Sequence, residues 1–240
     1  MLKIVKNRVL IIIQCRFNST RLYGKALLQI SGIPMLSFLI RRLRSGLPEN
    51  EYQIVVATTK LYQDDAIEAL GLSEGVEVFR GEENDVLKRY VKCLECYPAK
   101  AVVRVTADNP LTCPDLLKWL VMEKLNRGVD YIFCTNLPKG AGVDVFSSWL
   151  VKDLDKKALK PDEREHINLY ILRNFEKYFV FFLTAKGEYA RPDLRITVDT
   201  GIDLRRVRYL LRPFEHEPWK ISLHDVIQRM DTHHCLLDFK

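Results

Sequence analysis

Between Arg8 and Thr135 the chain alternates short apolar runs with stretches whose apolar residues recur at helical spacing. The runs Arg8 to Gln14, Gln53 to Thr58, Val76 to Arg80, Ala101 to Thr106 and Val129 to Thr135 read as strands, and Pro34 to Arg44, Asp64 to Leu70, Asp85 to Tyr97 and Pro114 to Asn126 read as helices. Strands that are apolar on both faces must be covered on both, and parallel neighbours need a crossover long enough to hold a helix. The alternation therefore predicts an α/β fold, a Rossmann-like and mainly parallel sheet with helices on both faces. In such sheets ligands sit beyond the carboxyl ends of the strands.

After Asn136 the pattern changes. Pro138 to Gly142 reads as a turn, Trp149 to Leu159 and Arg164 to Asn174 as helices, Tyr178 to Thr184 and Leu194 to Val198 as strands that rejoin the sheet, and Leu204 to Leu211 and Ser222 to Met230 as closing helices. The aromatic run Tyr178 to Phe182 reads as a buried strand rather than a base-stacking platform. A chain of 240 residues suits one domain, with a small substructure over residues 137–193 inserted in it. The net charge of +6 is spread along the chain without a polybasic tail, so no nucleic-acid partner is expected. The apolar runs are far shorter than the ~20 residues a membrane span needs. The six cysteines are irregularly spaced, which fits a reducing, cytoplasmic compartment. Cys93 and Cys96 form a CxxC inside a predicted helix and read as packing residues, while His233 and His234 read as tail.

The loop leaving the first strand, Gln14 to Lys25, carries Arg16, Arg21 and Lys25 with Ser19, Thr20 and Gly24. Arginine forks onto phosphate oxygens, lysine adds a point charge, and loop N–H groups add neutral donors. A solvated basic loop is the alternative, but the end of a first parallel strand favours phosphate. The spacing is neither a Walker loop nor a dinucleotide fingerprint. Further along, Asp108 precedes Asn109-Pro110 and Asp199 precedes Thr200-Gly201. Each ends a predicted strand, so both should face one sheet edge. Such a pair suits Mg²⁺, a hard cation that completes its octahedron with water and phosphate; each aspartate is equally suited to capping a turn.

Ordered motifs then add to this reading. Ile12 to Arg16, Ser19 to Leu22 and Gly24-Lys25 are followed by Arg80-Gly81 with Asp85 to Leu87, by Val103 to Leu111, by Arg164 to His166 and by Val198 to Thr200. Across roughly residues 8–212 the chain resembles the cytidylyltransferases of the spore coat polysaccharide biosynthesis protein F type. It is similar more distantly to CMP-Kdo synthetases and acylneuraminate cytidylyltransferases. The resemblance implies transfer of CMP from CTP to an acidic sugar or related sugar-derived acceptor, with release of pyrophosphate, for surface glycan synthesis. It also implies a homodimer and favours Mg²⁺ on Asp108 and Asp199. Arg16, Lys25 and Asp108 would be catalytic. Gln14, Arg16, Ser19, Arg21, Lys25, Ala57, Thr58, Arg80 and Asp108 would bind the nucleotide, and Asp144, Arg164 and His166 the acceptor.

Four positions depart from the family pattern: Tyr23 stands for a usual Pro, Asn18 for a common Gly, Asn109 for a common Cys and Asp144 for a usual Glu. The first two bear on loop closure and the last on acceptor choice. The alternatives are a nucleotidyltransferase of other base or sugar-phosphate specificity, and a non-catalytic nucleotide-binding protein of the same fold. The longer Gly-rich loop of the sugar-1-phosphate enzymes is absent.

Overall fold

The computed structural model describes residues 8–19 and 21–232, so Thr20, His233 and His234 lie outside the described residues. The first half runs β1 (Val9–Gln14), the two-residue strands β2 (Gln29–Ile30) and β3 (Ile33–Pro34), α1 (Met35–Gly46), β4 (Tyr52–Thr59), α2 (Asp65–Ser73), β5 (Glu77–Gly81), α3 (Val86–Cys96), β6 (Ala101–Thr106) and α4 (Pro114–Arg127). The second half runs β7 (Tyr131–Thr135), β8 (Asp144–Ser147), α5 (Ser148–Lys157), α6 (Pro161–Glu165), α7 (Leu169–Arg173), β9 (Val180–Thr184), α8 (Gly201–Leu211) and α9 (Leu223–Thr232). The α/β reading and the order of the longer elements up to Thr135 agree with the sequence analysis, which read the β2–β3 hairpin as part of a loop.

Among the described residues the main sheet has seven strands in the order β5-β4-β1-β6-β8-β7-β9, parallel except for β8. Residues alternate across a strand, so one strand feeds two cores. Leu10 and Ile12 pack on the face covered by α3 and α5, while Ile11 and Ile13 pack on the face covered by α1 and α4. Each is essentially inaccessible to solvent, which stabilises the fold by about 1.5–3 kcal/mol per aliphatic side chain. A third cluster joins α8, α9 and the β2–β3 hairpin through residues such as Ile30, Leu210 and Ile227.

The order places a switch point in the middle of the sheet. From β1 the chain crosses to β4 on one side, and later it returns to β6 on the other. At their carboxyl ends Gln14 and Thr106 are register partners, and the loops that follow must part there, opening a crevice.

Four expectations need correction. No element is expected between the Pro138 to Gly142 turn and Trp149, but β8 lies there and inserts antiparallel between β6 and β7. Leu194 to Val198 is extended but joins no strand ladder: it forms one bridge, Lys139 to Arg195, and Val198 N–H donates to the Asp108 carbonyl at 2.7 Å. The predicted helix Arg164 to Asn174 is two short helices broken around His166. The aromatic run is not wholly buried, because β9 is an edge strand whose Phe182 is 61% exposed. The stretch 137–193 thus contributes β8 and β9 to the main sheet, and α5 to α7 outside it.

Candidate functional site

The loop after β1 is pinned before it reaches any ligand. Phe17 N–H donates to Asp64 Oδ1 at 2.7 Å, while Asp64 Oδ2 accepts the Thr59 N–H at 2.9 Å and the Thr59 hydroxyl. This buried carboxylate ties the end of β1 to the end of β4. Tyr23 meets the Phe17 ring edge-on at 4.8 Å. Gly24 turns with φ +61°, and a Cβ there would come within 3.2 Å of the same ring. Only glycine adopts that backbone without strain, and the turn delivers Lys25 inward.

Lys25 Nζ lies 2.8 Å from Asp108 Oδ2 and 3.3 Å from Asp199 Oδ1, and donates to the Val198 carbonyl at 3.3 Å. The two aspartates, 91 positions apart by number, therefore share one ammonium group. Arg21 reaches Asp199 Oδ1 at 2.8 Å and Arg195 reaches its Oδ2 at 2.6 Å. Burial pushes the Asp199 carboxyl up, but the bonds from Arg195 and Lys25 and the charge of Arg21 outweigh it and hold the group below its usual range. Across the opening Arg16 pairs with Glu165 at 3.2 Å.

Behind Asp199 stands Asp203. With Thr200 it closes a capping box at the start of α8. It also accepts the Asp199 N–H at 3.0 Å and Arg195 Nε at 3.0 Å. Burial opposes its ionisation, yet Arg195, the Asp199 N–H and the Thr200 side chain together hold it at about 2. It fixes both the backbone and the cation that orient Asp199. The Thr200-to-Asp203 spacing is the sequence pattern that marks such a cap.

A cleft of about 240 Å³ at the switch point is lined by Gln14, Arg16, Ser19, Arg21, Lys25 and Asp108, with His166 and Glu165 at its far side. Gln14 Oε1 is buried there without a hydrogen-bond partner. Arg104 and Thr106, which the sequence analysis did not single out, line the same cleft and an adjoining recess that holds Asp144. A larger cavity of about 810 Å³ lies elsewhere, between α4, β9 and the start of α9. Its walls, with Trp119, Leu116 and Phe182, are mostly apolar, and it lacks the paired carboxylates.

The remaining expected residues stand outside the cleft. Ala57 and Thr58 are fully buried beneath it. Arg80 is committed to the Thr59 carbonyl at 2.8 Å, the Leu61 carbonyl at 2.6 Å, Asp65 at 2.6 Å and Glu68 at 2.7 Å, so it clamps the turn after β4. Arg164 is likewise spent on Asp85 at 2.7 Å and Asp155 at 2.8 Å, bolting α6 to α3 and α5. Asp144 accepts from Arg104, Tyr131 and Asn168 and has no oxygen without a donor. It lines the adjoining recess and also orients Arg104.

Three cations and two carboxylates that share one of them meet at this switch point, and the class that fold and site define is the α/β nucleotidyltransferases. The solved CMP:2-keto-3-deoxy-manno-octonic acid synthetase complexed with CTP shares the fold, with a TM-score of 0.65 at 18% identity over 87% of this chain and 100% of that one. Residues 10–206 match the cytidylyltransferase family, and the chain belongs to that family. It is 34% identical over 215 residues to the spore coat polysaccharide biosynthesis protein SpsF of Bacillus subtilis, covering 88% of this chain and 90% of the relative. A cytidylyltransferase structure from Leptospira borgpetersenii superposes with a TM-score of 0.89 at 29% identity, covering 98% of both chains.

Proposed function

We propose that this cytidylyltransferase moves CMP from CTP to an acidic sugar or related sugar-derived acceptor, releasing pyrophosphate, with Mg²⁺ as its metal. The observation that carries the reading is Lys25 Nζ placed between Asp108 and Asp199 at 2.8 and 3.3 Å. Carboxylates that share one ammonium are close enough to share one metal ion. Mg²⁺ asks for one or two carboxylates, leaving its other positions to water and phosphate. Two carboxylates fit a metal that completes its shell with water and substrate phosphate.

Bound there, Mg²⁺ would supply charge neutralisation at the α-phosphate and polarise the acceptor oxygen. The chain's own part is positioning. Arg16, Arg21 and Lys25, now held by Glu165, Asp199 and Asp108, turn to the phosphate oxygens and offset the charge that develops on departing pyrophosphate. Gln14 Oε1 and Ser19 offer polar contacts to the nucleotide, and His166 reaches the acceptor side. The acceptor oxygen attacks the α-phosphorus in line, the bond to the β-phosphate oxygen breaks, and no covalent enzyme intermediate forms.

The same reading assigns residues 137–193 to acceptor binding and dimerisation, with work in the cytoplasm on surface glycan precursors. The five described cysteines are free, and among the described residues no helix is long and apolar enough to cross a membrane. Pyrophosphate release from each of four NTPs, against sugar acids and sugar phosphates, tests the proposal. CTP with an acidic acceptor is expected to lead; bound CTP without turnover under any pairing would favour a nucleotide-binding protein.

A further inference from the structure

Arg104 is the one basic residue lining the recess beside the main cleft, and it lines both compartments. It stands on β6 between Ile12 of β1 and Asp144 of β8. Its side chain is 17% exposed. One nitrogen, Nη1, donates to Asp144 at 3.0 Å, while Nε is buried with no hydrogen-bond partner. The Tyr90 hydroxyl, which feels the charges of Arg104 and Asp144, is also buried without a partner. An unpaired buried donor costs about 1–3 kcal/mol, and the same guanidinium lines the recess, where an entering group can meet its open side.

Asp144 makes that placement rigid. Its Oδ2 takes Arg104, and its Oδ1 takes the Tyr131 hydroxyl and Asn168 Nδ2, the latter at 3.4 Å. Each of its oxygens is engaged, and the carboxylate aims the arginine. The recess, about 140 Å³, is otherwise lined by Thr106, Asn109, Phe133, Cys134, Gly142 and Val143. That is room for one polar substituent of a substrate whose reacting end lies in the neighbouring cleft.

We infer that the recess is an oxyanion subsite for the acceptor, in which Arg104 binds a carboxylate or phosphate group of the sugar while Asp144, held by Tyr131 and Asn168, positions it. The inference rests on the functional reading above and deepens it: the acceptor class is set by one guanidinium on β6. Carboxylate and phosphate present the same paired oxygens to an arginine fork, so the sources are separated by experiment.

The test compares wild type with Arg104→Lys and Asp144→Asn, with folding checked by thermal melting. At saturating CTP and Mg²⁺, pyrophosphate release is measured with 3-deoxy-manno-octulosonate, its carboxyl-reduced counterpart and sugar 1-phosphates. Arg104→Lys keeps the charge but loses the fork, so acceptor KM should rise about tenfold to hundredfold, the scale of one charge-assisted hydrogen bond, while CTP KM moves less than about threefold. Asp144→Asn should act in the same direction, more weakly, because it loosens the arginine without removing it. Preference of the wild type for the acid assigns a carboxylate, and preference for the 1-phosphate assigns a phosphate.

Unchanged acceptor KM in folded Arg104→Lys, or best turnover of the carboxyl-reduced sugar, overturns the subsite. A second readout does not need turnover: the Nε–Hε NMR signal of Arg104, identified by its loss in Arg104→Lys, should shift on adding the sugar acid or sugar phosphate to protein loaded with CTP and Mg²⁺. If nothing in the panel reacts, the functional reading fails, and the guanidinium signal alone decides the subsite: a shift supports it and none overturns it.

Discussion

The carboxyl ends of β1 and β6 and the carboxyl ends of β4 and β5 both carry arginine beside acidic residues, yet they do different things. At the β1–β6 end Arg16, Arg21 and Lys25 each meet carboxylates across an open cleft. At the β4–β5 end Arg80 closes on two carbonyls and two carboxylates of its own turn. The first group can exchange its partners for a ligand's oxygens. The second would lose the turn by doing so. Position at a strand end is therefore not enough; the switch point separates cations paired across a cleft from one enclosed by its own turn.

Lys25→Ala gives the largest expected break. Removing the ammonium shared by Asp108 and Asp199 should lower kcat/KM about 10³-fold or more, the range of a charge clamp on a transferring phosphoryl group, read by pyrophosphate release. If activity stayed within tenfold in a folded sample, the cleft would not be the reacting centre. Asp108→Asn is expected to cost about 10²-fold to 10³-fold in kcat, with CTP affinity by calorimetry changing far less. Arg16→Ala should act mainly on CTP, raising its KM about tenfold, since its guanidinium pairs with Glu165 across the opening.

Arg80→Ala sharpens the other side of the comparison. Losing its bonds to the β4 turn should cost about 1–3 kcal/mol, or several degrees of melting temperature for a chain this size. Turnover well below that temperature should stay within about threefold. A large activity loss without a stability loss would put Arg80 in the nucleotide site after all.

The smallest effect is in pH. Asp203 is depressed to about 2 and Asp199 is lowered, so both stay ionised in the folded protein after an unfolded chain would begin to protonate. Their contribution is complete above about pH 4, the ordinary aspartate range, and is lost as pH falls through the folded values. Melting temperature should be flat in this respect from pH 5 to 8 and decline toward pH 2, with Asp203→Asn showing a shallower decline.

How much could be read beforehand follows the same division. The longer strands up to Thr135 and the cationic loop were legible because each is a local pattern: a continuous apolar run, or three cations in residues 16–25 just beyond a strand. The partnership of Arg16 with Glu165 spans 149 positions, and no local pattern encodes it. Arg104 was hidden inside a strand motif, where alternation only says that it faces one side. β8 was missed because four residues, Asp144–Ser147, sit directly behind a turn and leave too short a period to detect. Leu194 to Val198 has strand-like residues, but its backbone groups find Lys139 and Asp108 instead of a neighbouring strand.

The antiparallel β8 has a consequence for a chain leaving the ribosome. β7 is made before β8 but has no place beside β6 until β8 arrives to separate them. Until about residue 147 is available, the β5-β4-β1-β6 half carries an open edge, and β7 is an apolar orphan. An exposed edge of this kind invites pairing with another nascent chain, so chains cut short before Ser147 should aggregate, whereas those ending after β9 can seal the sheet.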